Sequence, residues 1–326
     1  MVIAANGQDL SLLSRASRAA IHPRPSLAGE TSRHTLSALP RHFLTGAELS
    51  SAELAVLLDR ALELKAEPRS STALEGRAVA LVFEHPSTRT RTSFEVGIVE
   101  LGGHPMVIRP GELQLTRGES IRDTALVLSR NVAAIGLRTG SEETLAELAR
   151  HATVPVVNML SPRHHPCQAL ADLLTMREAF GEVAGRSLTY VGDGNNVARS
   201  LAIVGALAGV DVTVAAPDGY QLEPTAGARL MSDPAAAADG ADVLYTDVWV
   251  SMGDDPGDRR AALASYRIDD ALLDRAAPGA FALHCLPAHP GEEITDAVLY
   301  GDRQRIWDQA ENRRHAQKAL LEWLVG

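Results

Sequence analysis

Arg77-Ala78-Val79-Ala80-Leu81-Val82-Phe83, followed by Glu84-His85-Pro86 and the polar run Ser87-Thr88-Arg89-Thr90-Arg91, decides the fold. Residues 77–83 are short and almost wholly apolar, without the alternation of a half-exposed strand, so they read as a strand buried on both faces of a parallel sheet. The strand ends before Pro86, which cannot donate to a ladder. The polar run then opens a helix-period segment that continues through Leu101 and stops at Gly102 and Gly103. Strand, polar turn and helix in that order make one βα unit.

Working outward, the same alternation recurs. Upstream, Ser50 with Glu53 three residues later forms a capping box before a helical run over 53–67, and order is expected from about Thr45. Downstream, strands are expected at 104–108, 133–137 and 154–158, with helices near 124–130 and at 142–151. A helix over 167–180 precedes a second series of strands at 187–191, 210–215, 241–246 and 281–284. The chain therefore reads as α/β: two doubly wound parallel-sheet domains joined by helices, with an active site in the cleft. A last helix, 315–324, can pack back on either domain, and the alanines at 235–238 suit an exposed helix.

The bulk properties agree. A length of 326 residues suits two domains, and 45% hydrophobic against 22% charged residues supports packed cores rather than disorder. A net charge of −10 repels nucleic acid and anionic membranes, so neither is an expected partner. Cys167 and Cys285 are too few for a disulfide framework and point to a reducing compartment, by default the cytoplasm. Neither a run of about 18 apolar residues nor a cleavable apolar start is found. Within residues 1–40, Arg15, Arg18, Arg24 and Arg33 outnumber Asp9 and Glu30. That stretch reads as a disordered extension, with an organelle presequence as the alternative.

In an open α/β sheet, ligands bind beyond the carboxyl ends of the strands, so each polar cluster after a strand is a candidate wall of the site. Ser87, Thr88, Arg89 and Thr90 offer hydroxyls, helix N-terminal amides and a guanidinium that suit phosphate; the alternative is an ordinary capped helix start. His165 and Gln168, in His165-Pro166-Cys167-Gln168, stand one turn apart and can address a carbonyl oxygen and its neighbouring nitrogen, or simply cap their helix. Gly192-Asp193-Gly194-Asn195-Asn196 half-matches a dinucleotide fingerprint, with Val197 where the third glycine belongs and Asp218 near the next strand's end, which keeps a nicotinamide enzyme as a rival. His284-Cys285-Leu286-Pro287, with His289, His165 and Cys167, raises zinc. In extended chain, however, His284 and Cys285 point to opposite faces, and no metal is assigned.

These segments together carry a resemblance. Ser87 to Arg91 (STRTR), His165 to Gln168 (HPCQ), Asp247 to Gly253 (DVWVSMG) and His284 to Pro287 (HCLP) stand in the order of the ornithine carbamoyltransferases, within the aspartate/ornithine carbamoyltransferase family. Gly192 to Asn196 (GDGNN) and Glu311 to Leu321 (ENRRHAQKALL) resemble further segments, and the likeness runs from about Arg41 to the C-terminus. It implies a transferase that moves the carbamoyl group of carbamoyl phosphate to the side-chain amine of ornithine, giving citrulline in arginine biosynthesis. No metal or organic cofactor is implied. Residues 41–168 would bind carbamoyl phosphate, 169–310 would bind ornithine, and a helix at 311–326 would pack back on the first domain.

By the same resemblance, Ser87, Thr88, Arg89, Thr90, Arg138, His165, Gln168, Cys285, Leu286 and Arg313 bind carbamoyl phosphate, joined by Gln114 from a neighbouring subunit of a homotrimer with shared active sites. Arg138, His165 and Cys285 take the catalytic roles, and Asn196, Asp247, Ser251 and Met252 bind ornithine. Three departures bear on the second substrate: Pro290 stands where many relatives carry arginine, 217–241 is shorter than usual, and Thr139-Gly140 makes a tighter loop after Arg138. The alternatives are a carbamoyltransferase acting on putrescine, lysine or an acylated ornithine, and a non-catalytic binding paralogue.

Overall fold

The computed structural model describes residues 40–113, 118–225, 227–250 and 257–326. Helix α1 (Ser51–Ala66) opens on the expected capping box: Ser50 Oγ accepts from the Glu53 amide at 3.3 Å, and the Glu53 carboxylate accepts from the Ser50 amide at 2.9 Å. There follow β1 (Ala78–Phe83), α2 (Thr88–Glu100), β2 (His104–Ile108), α3 (Ile121–Leu128), β3 (Ala134–Arg138), α4 (Glu142–His151) and β4 (Val156–Leu160). Their strands form a parallel sheet in the order β2-β1-β3-β4. Helix α5 (Pro166–Phe180) leads to β5 (Ser187–Val191), α6 (Asn196–Leu207), β6 (Asp211–Ala215), β7 (Ala228–Met231), α7 (Pro234–Ala238) and β8 (Val243–Thr246). The chain ends with α8 (Arg259–Leu263), α9 (Asp270–Leu273), β9 (Phe281–His284), α10 (Asp296–Leu299) and α11 (Ile306–Val325). The second sheet is also parallel, in the order β7-β6-β5-β8-β9.

The inner strands β1, β3, β5 and β8 are buried on two faces, which is why they are largely apolar, whereas the edge strands β2 and β7 are not fully buried. In β1, Val79, Leu81 and Phe83 enter one core while Ala80 and Val82 enter another with Ile135, Leu137, Leu145 and Leu148. The first of these cores is continuous through Leu170 and Leu174 of α5 to Leu188, Tyr190 and Leu283 of the second sheet. Strand order reverses between β1 and β3 and again between β5 and β8, and these switch points open crevices at the carboxyl ends of the strands. The segments following those ends are the polar clusters read from the sequence.

Beyond shifted boundaries such as β4 and the short unexpected helices α8, α9 and α10, three elements depart from expectation in their packing. Helix α11 begins at Ile306, nine residues before the expected start, and buries Gln309, Asn312, Arg313, His315, Gln317 and Lys318. It packs on α5, α1 and α2, with the Lys318 ammonium donating to the carbonyls of Leu64 and Pro68 at 2.9 and 3.0 Å and to Glu100 Oε2 at 2.6 Å. In α7, Ala237 and Ala238 are buried rather than exposed, because this short helix packs on β6 and β5. The unexpected strand β7 follows β6 without an intervening helix among the described residues.

Candidate active site

Strand β1 delivers the chain to the start of α2, where Ser87 makes no side-chain capping bond and the first turn holds no acid. The leading amides of a helix lack intrahelical acceptors, so this end suits an anion. Arg313 reaches the same turn from α11, 223 residues away: one terminal nitrogen donates to Thr90 Oγ1 at 3.1 Å, the other to Gln168 Oε1 at 2.7 Å. Arg138 ends β3. The tight loop after it is pinned to β1 by Glu84, whose Oε2 accepts from Thr139 Oγ1 at 2.6 Å and from the Gly140 amide at 3.1 Å.

Arg89, Arg138 and Arg313 lie within electrostatic reach of one another, and among the described residues none pairs with a carboxylate. Burial first, then repulsion from Arg313 and Arg89, lowers the Arg138 pKa to about 10. Burial also lowers that of Arg313. His165, at the N-cap of α5, is held well below the ordinary histidine range by burial and then by Arg313, Arg138 and Arg89, so its imidazole is neutral at pH 7. Its amide is anchored on Ser200 Oγ at 2.7 Å. Among the described residues, the Nδ1 of His165 and the Nε atoms of Arg138 and Arg313 are buried without hydrogen-bond partners. Like charges and unfulfilled polar atoms gathered this way are a preorganised receptor for an anion.

Across the cleft, Asn195 caps α6, its Oδ1 accepting from the amides of Val197 and Ala198 at 2.9 and 3.2 Å while its Nδ2 donates to Asp247 Oδ2 at 2.9 Å. The Cys285 thiol donates to Asp247 Oδ1 at 2.8 Å, and burial, then the Asp247 charge, push its pKa well up, so it keeps its proton. Asp247 is thus buried with both oxygens engaged. Asn196 instead donates to the Ser161 carbonyl at 2.8 Å, in the loop after β4. This arrangement argues against the nicotinamide rival, because Asn195 already occupies the amides a pyrophosphate would take. Gly194 serves packing: a Cβ there would stand 2.2 Å from the Leu222 nitrogen.

At the end of β9, His284 Nε2 meets Glu293 Oε1 at 3.0 Å, both side chains fully buried, and His284 Nδ1 accepts from the Leu286 amide at 2.8 Å. Glu293 Oε1 also accepts from the His289 amide at 2.6 Å. The chain turns here, with Leu286 at φ 59 and a cis bond to Pro287, and Arg89 donates to the Leu286 carbonyl at 2.6 Å. Donor atoms of Asp247, His284 and Cys285 lie within 4.8 Å of one another. That corrects the opposite-faces argument, yet both His284 ring nitrogens are already engaged, which leaves it no lone pair for an ion.

The structure therefore gathers Ser87, Thr88, Arg89, Thr90, Arg138, His165, Gln168 and Arg313 on one side, with Cys285, Leu286 and Asp247 facing them. Asn196 contacts the loop after β4 rather than Asp247. Gln114, Ser251 and Met252 lie outside the described residues. Sequence reasoning missed Asn195 as the partner of Asp247, Glu293 as the anchor of His284, and Asp172. The signal for Asp172 was a lone acid in the apolar run Ala169 to Leu174, four residues after Gln168.

Fold and site define a two-lobed α/β protein with an arginine-rich anion receptor facing a buried carboxylate. The family described as aspartate/ornithine carbamoyltransferase matches twice: its carbamoyl-P binding domain over residues 41–178 and its Asp/Orn binding domain over residues 184–324. The ornithine carbamoyltransferase of Acidothermus cellulolyticus is 55% identical over 301 residues, covering 87% of this chain and 96% of that protein. The solved ornithine carbamoyltransferase of Thermus thermophilus superposes with a TM-score of 0.83 at 46% identity, covering 88% of this chain and all of that one. The Pyrococcus furiosus enzyme gives the same TM-score at 43% identity, covering 88% of this chain and 97% of that one. The chain belongs to the aspartate/ornithine carbamoyltransferase family.

Proposed function

We propose that this protein transfers the carbamoyl group of carbamoyl phosphate to the side-chain amine of L-ornithine, giving L-citrulline and phosphate. The observation that carries the reading is the convergence on a neutral His165, across from Asp247, of three guanidiniums that pair with no carboxylate among the described residues. An anion receptor faces a group suited to a cation.

The amine attacks the carbonyl carbon, forming the new C–N bond as the C–O bond to phosphate breaks, so negative charge grows on the carbonyl oxygen and then on the phosphate. Ser87, Arg89, Thr90 and Arg313 hold the phosphate, while Thr88, Arg138 and His165 surround the carbonyl oxygen. Gln168, Cys285 and the Leu286 carbonyl serve the carbamoyl nitrogen. Asp247, with Asn196, Ser251 and Met252, receives the amino-acid end of ornithine, the carboxylate taking its α-ammonium. Ornithine's side-chain amine resembles that of lysine, with a pKa near 10.4, so delivering it neutral at pH 7.4 costs about 4 kcal/mol unless desolvation lowers its pKa.

In this reading residues 41–168, with the helix 311–326, form the carbamoyl phosphate domain and 169–310 the ornithine domain. The enzyme is a cytoplasmic homotrimer of arginine biosynthesis, with Gln114 completing a neighbour's site. Supporting the compartment are the two free cysteines. The test is citrulline formation from carbamoyl phosphate and ornithine, with putrescine, lysine and N-acetylornithine alongside. Preference for another amine overturns the acceptor, and absence of phosphate release with all four overturns the transfer.

A further inference from the structure

Asp172, in the middle of α5, is fully buried and touches no part of the proposed substrate positions, yet its Oδ1 is the meeting point of three elements. Gln168, one turn earlier on the same helix, donates its Nε2 at 2.8 Å. Gln309 of α11 donates its Nε2 at 2.7 Å, and the Tyr245 hydroxyl of β8 approaches at 3.4 Å. Asp172 Oδ2 is buried with no hydrogen-bond partner among the described residues.

A side-chain amide has a donor end and an acceptor end, and a carboxyl oxygen that accepts decides which end faces it. With Gln168 Nε2 drawn to Asp172, Gln168 Oε1 must face the other way, where it receives Arg313 at 2.7 Å. The same holds for Gln309, whose Oε1 is turned to accept the His284 amide at 3.0 Å, one residue before Cys285. Arg313 lies one helical turn after Gln309 on α11, and Tyr245 lies two residues before Asp247. One oxygen thus orients groups on both sides of the cleft.

We propose that Asp172 is a positioning residue that locks the amides of Gln168 and Gln309, and through them aligns Arg313 for the phosphate and the His284-Cys285-Leu286 turn for the carbamoyl nitrogen and, through the Cys285 bond to Asp247, for the second substrate. This rests on the function proposed above. The unpartnered Oδ2 separates geometry from charge. Asp172→Asn can keep a carbonyl oxygen where Oδ1 stands and place its NH2 at the empty Oδ2 position, preserving the lock without the charge. Asp172→Leu has similar bulk and no acceptor, so both glutamine amides are freed to rotate and their NH2 groups are left unpaired.

The experiment measures carbamoyl phosphate and inorganic phosphate affinity by calorimetry, together with kcat and the KM for ornithine, in wild type and both variants, with thermal melting as the fold control. Asp172→Asn is expected within about threefold of wild type in affinity, whereas Asp172→Leu should bind carbamoyl phosphate at least about tenfold more weakly, one lost charge-assisted contact's worth. Should Asp172→Leu fail to fold, Gln309→Met decides: it removes the bond to His284 and the amide's contacts with Asp172 and Tyr245 while leaving the Gln168–Arg313 pair, so affinity for inorganic phosphate stays within about twofold while the KM for ornithine rises about tenfold. A folded Asp172→Leu that binds as wild type does, an Asp172→Asn as impaired as the leucine variant, or a Gln309→Met with unchanged KM overturns the role of Asp172. Wild type that neither binds carbamoyl phosphate nor forms citrulline overturns the function instead.

Discussion

Replacing Arg313 by methionine should move affinity and stability in unlike ways. The guanidinium is buried, its pKa lowered by burial, and it sits with Arg89 and Arg138 without a carboxylate partner. Holding such a charge in the empty protein costs several kcal/mol of desolvation and repulsion. Against this stand two hydrogen bonds, to Gln168 Oε1 and Thr90 Oγ1, each contributing about 1–3 kcal/mol because the donor is charged. The terms oppose, so Arg313→Met should leave the unliganded stability within about 2 kcal/mol of wild type. Binding has no such cancellation: a phosphate that loses a desolvated cationic partner loses about 3–5 kcal/mol, or roughly two to nearly four orders of magnitude in affinity. Thermal melting with and without carbamoyl phosphate reads both quantities. At about 100 times Kd the wild type gains about 2.7 kcal/mol, visible as a rise of several degrees, and the variant at that concentration should gain almost nothing. A variant that keeps the ligand-induced rise refutes the phosphate role. One whose unliganded melting point falls by more than about 10 °C shows that Arg313 is a strut of the core.

Asp247→Asn should lower kcat/KM for ornithine at least about a hundredfold while carbamoyl phosphate binding survives, since the α-ammonium loses a buried counter-charge; comparable losses for ornithine and putrescine would count against it. Asp172 gives a pH signature. Burial, only partly offset by Gln309, Gln168, Arg313 and Tyr245, raises its pKa to about 7 from the unfolded value of 3.8. The folded state therefore binds this proton more tightly, and the contribution, complete below about 3.8, is lost as pH rises through 7. Between pH 6 and 8 wild type should lose about 1.4 kcal/mol relative to Asp172→Asn, measured by denaturant unfolding; a pH-independent difference rejects the raised pKa. Mixing inactive Gln114→Ala chains with inactive Arg313→Ala chains should restore part of the activity if sites are shared between subunits. Mixed oligomers that form and stay dead reject sharing.

Where one local rule suffices, the sequence was legible. Residues 78–83 had to be a two-face-buried strand, Ser50 and Glu53 had to cap a helix, and 142–151 and 187–191 fell where their periodicity places them. The start of α11 was not legible, because Gln309, Asn312 and Arg313 interrupt the apolar stripe by which a helix is recognised and are buried for reasons that lie on other elements. β7 escaped because its four residues are at most half-buried at a sheet edge and lack an apolar run. The same division holds for the site. Clusters that follow strands announced themselves, since switch-point topology says where ligands go. Pairings between them did not: Arg313 with Thr90, Cys285 with Asp247 and Gln309 with Asp172 join residues up to 223 positions apart, and no spacing in the chain encodes them. Asp172 shows why the remainder needs coordinates. A solitary acid in an apolar helix says only that something must satisfy it. Which oxygen is satisfied, and by which end of which amide, is what turns a buried charge into an instruction for the groups around it.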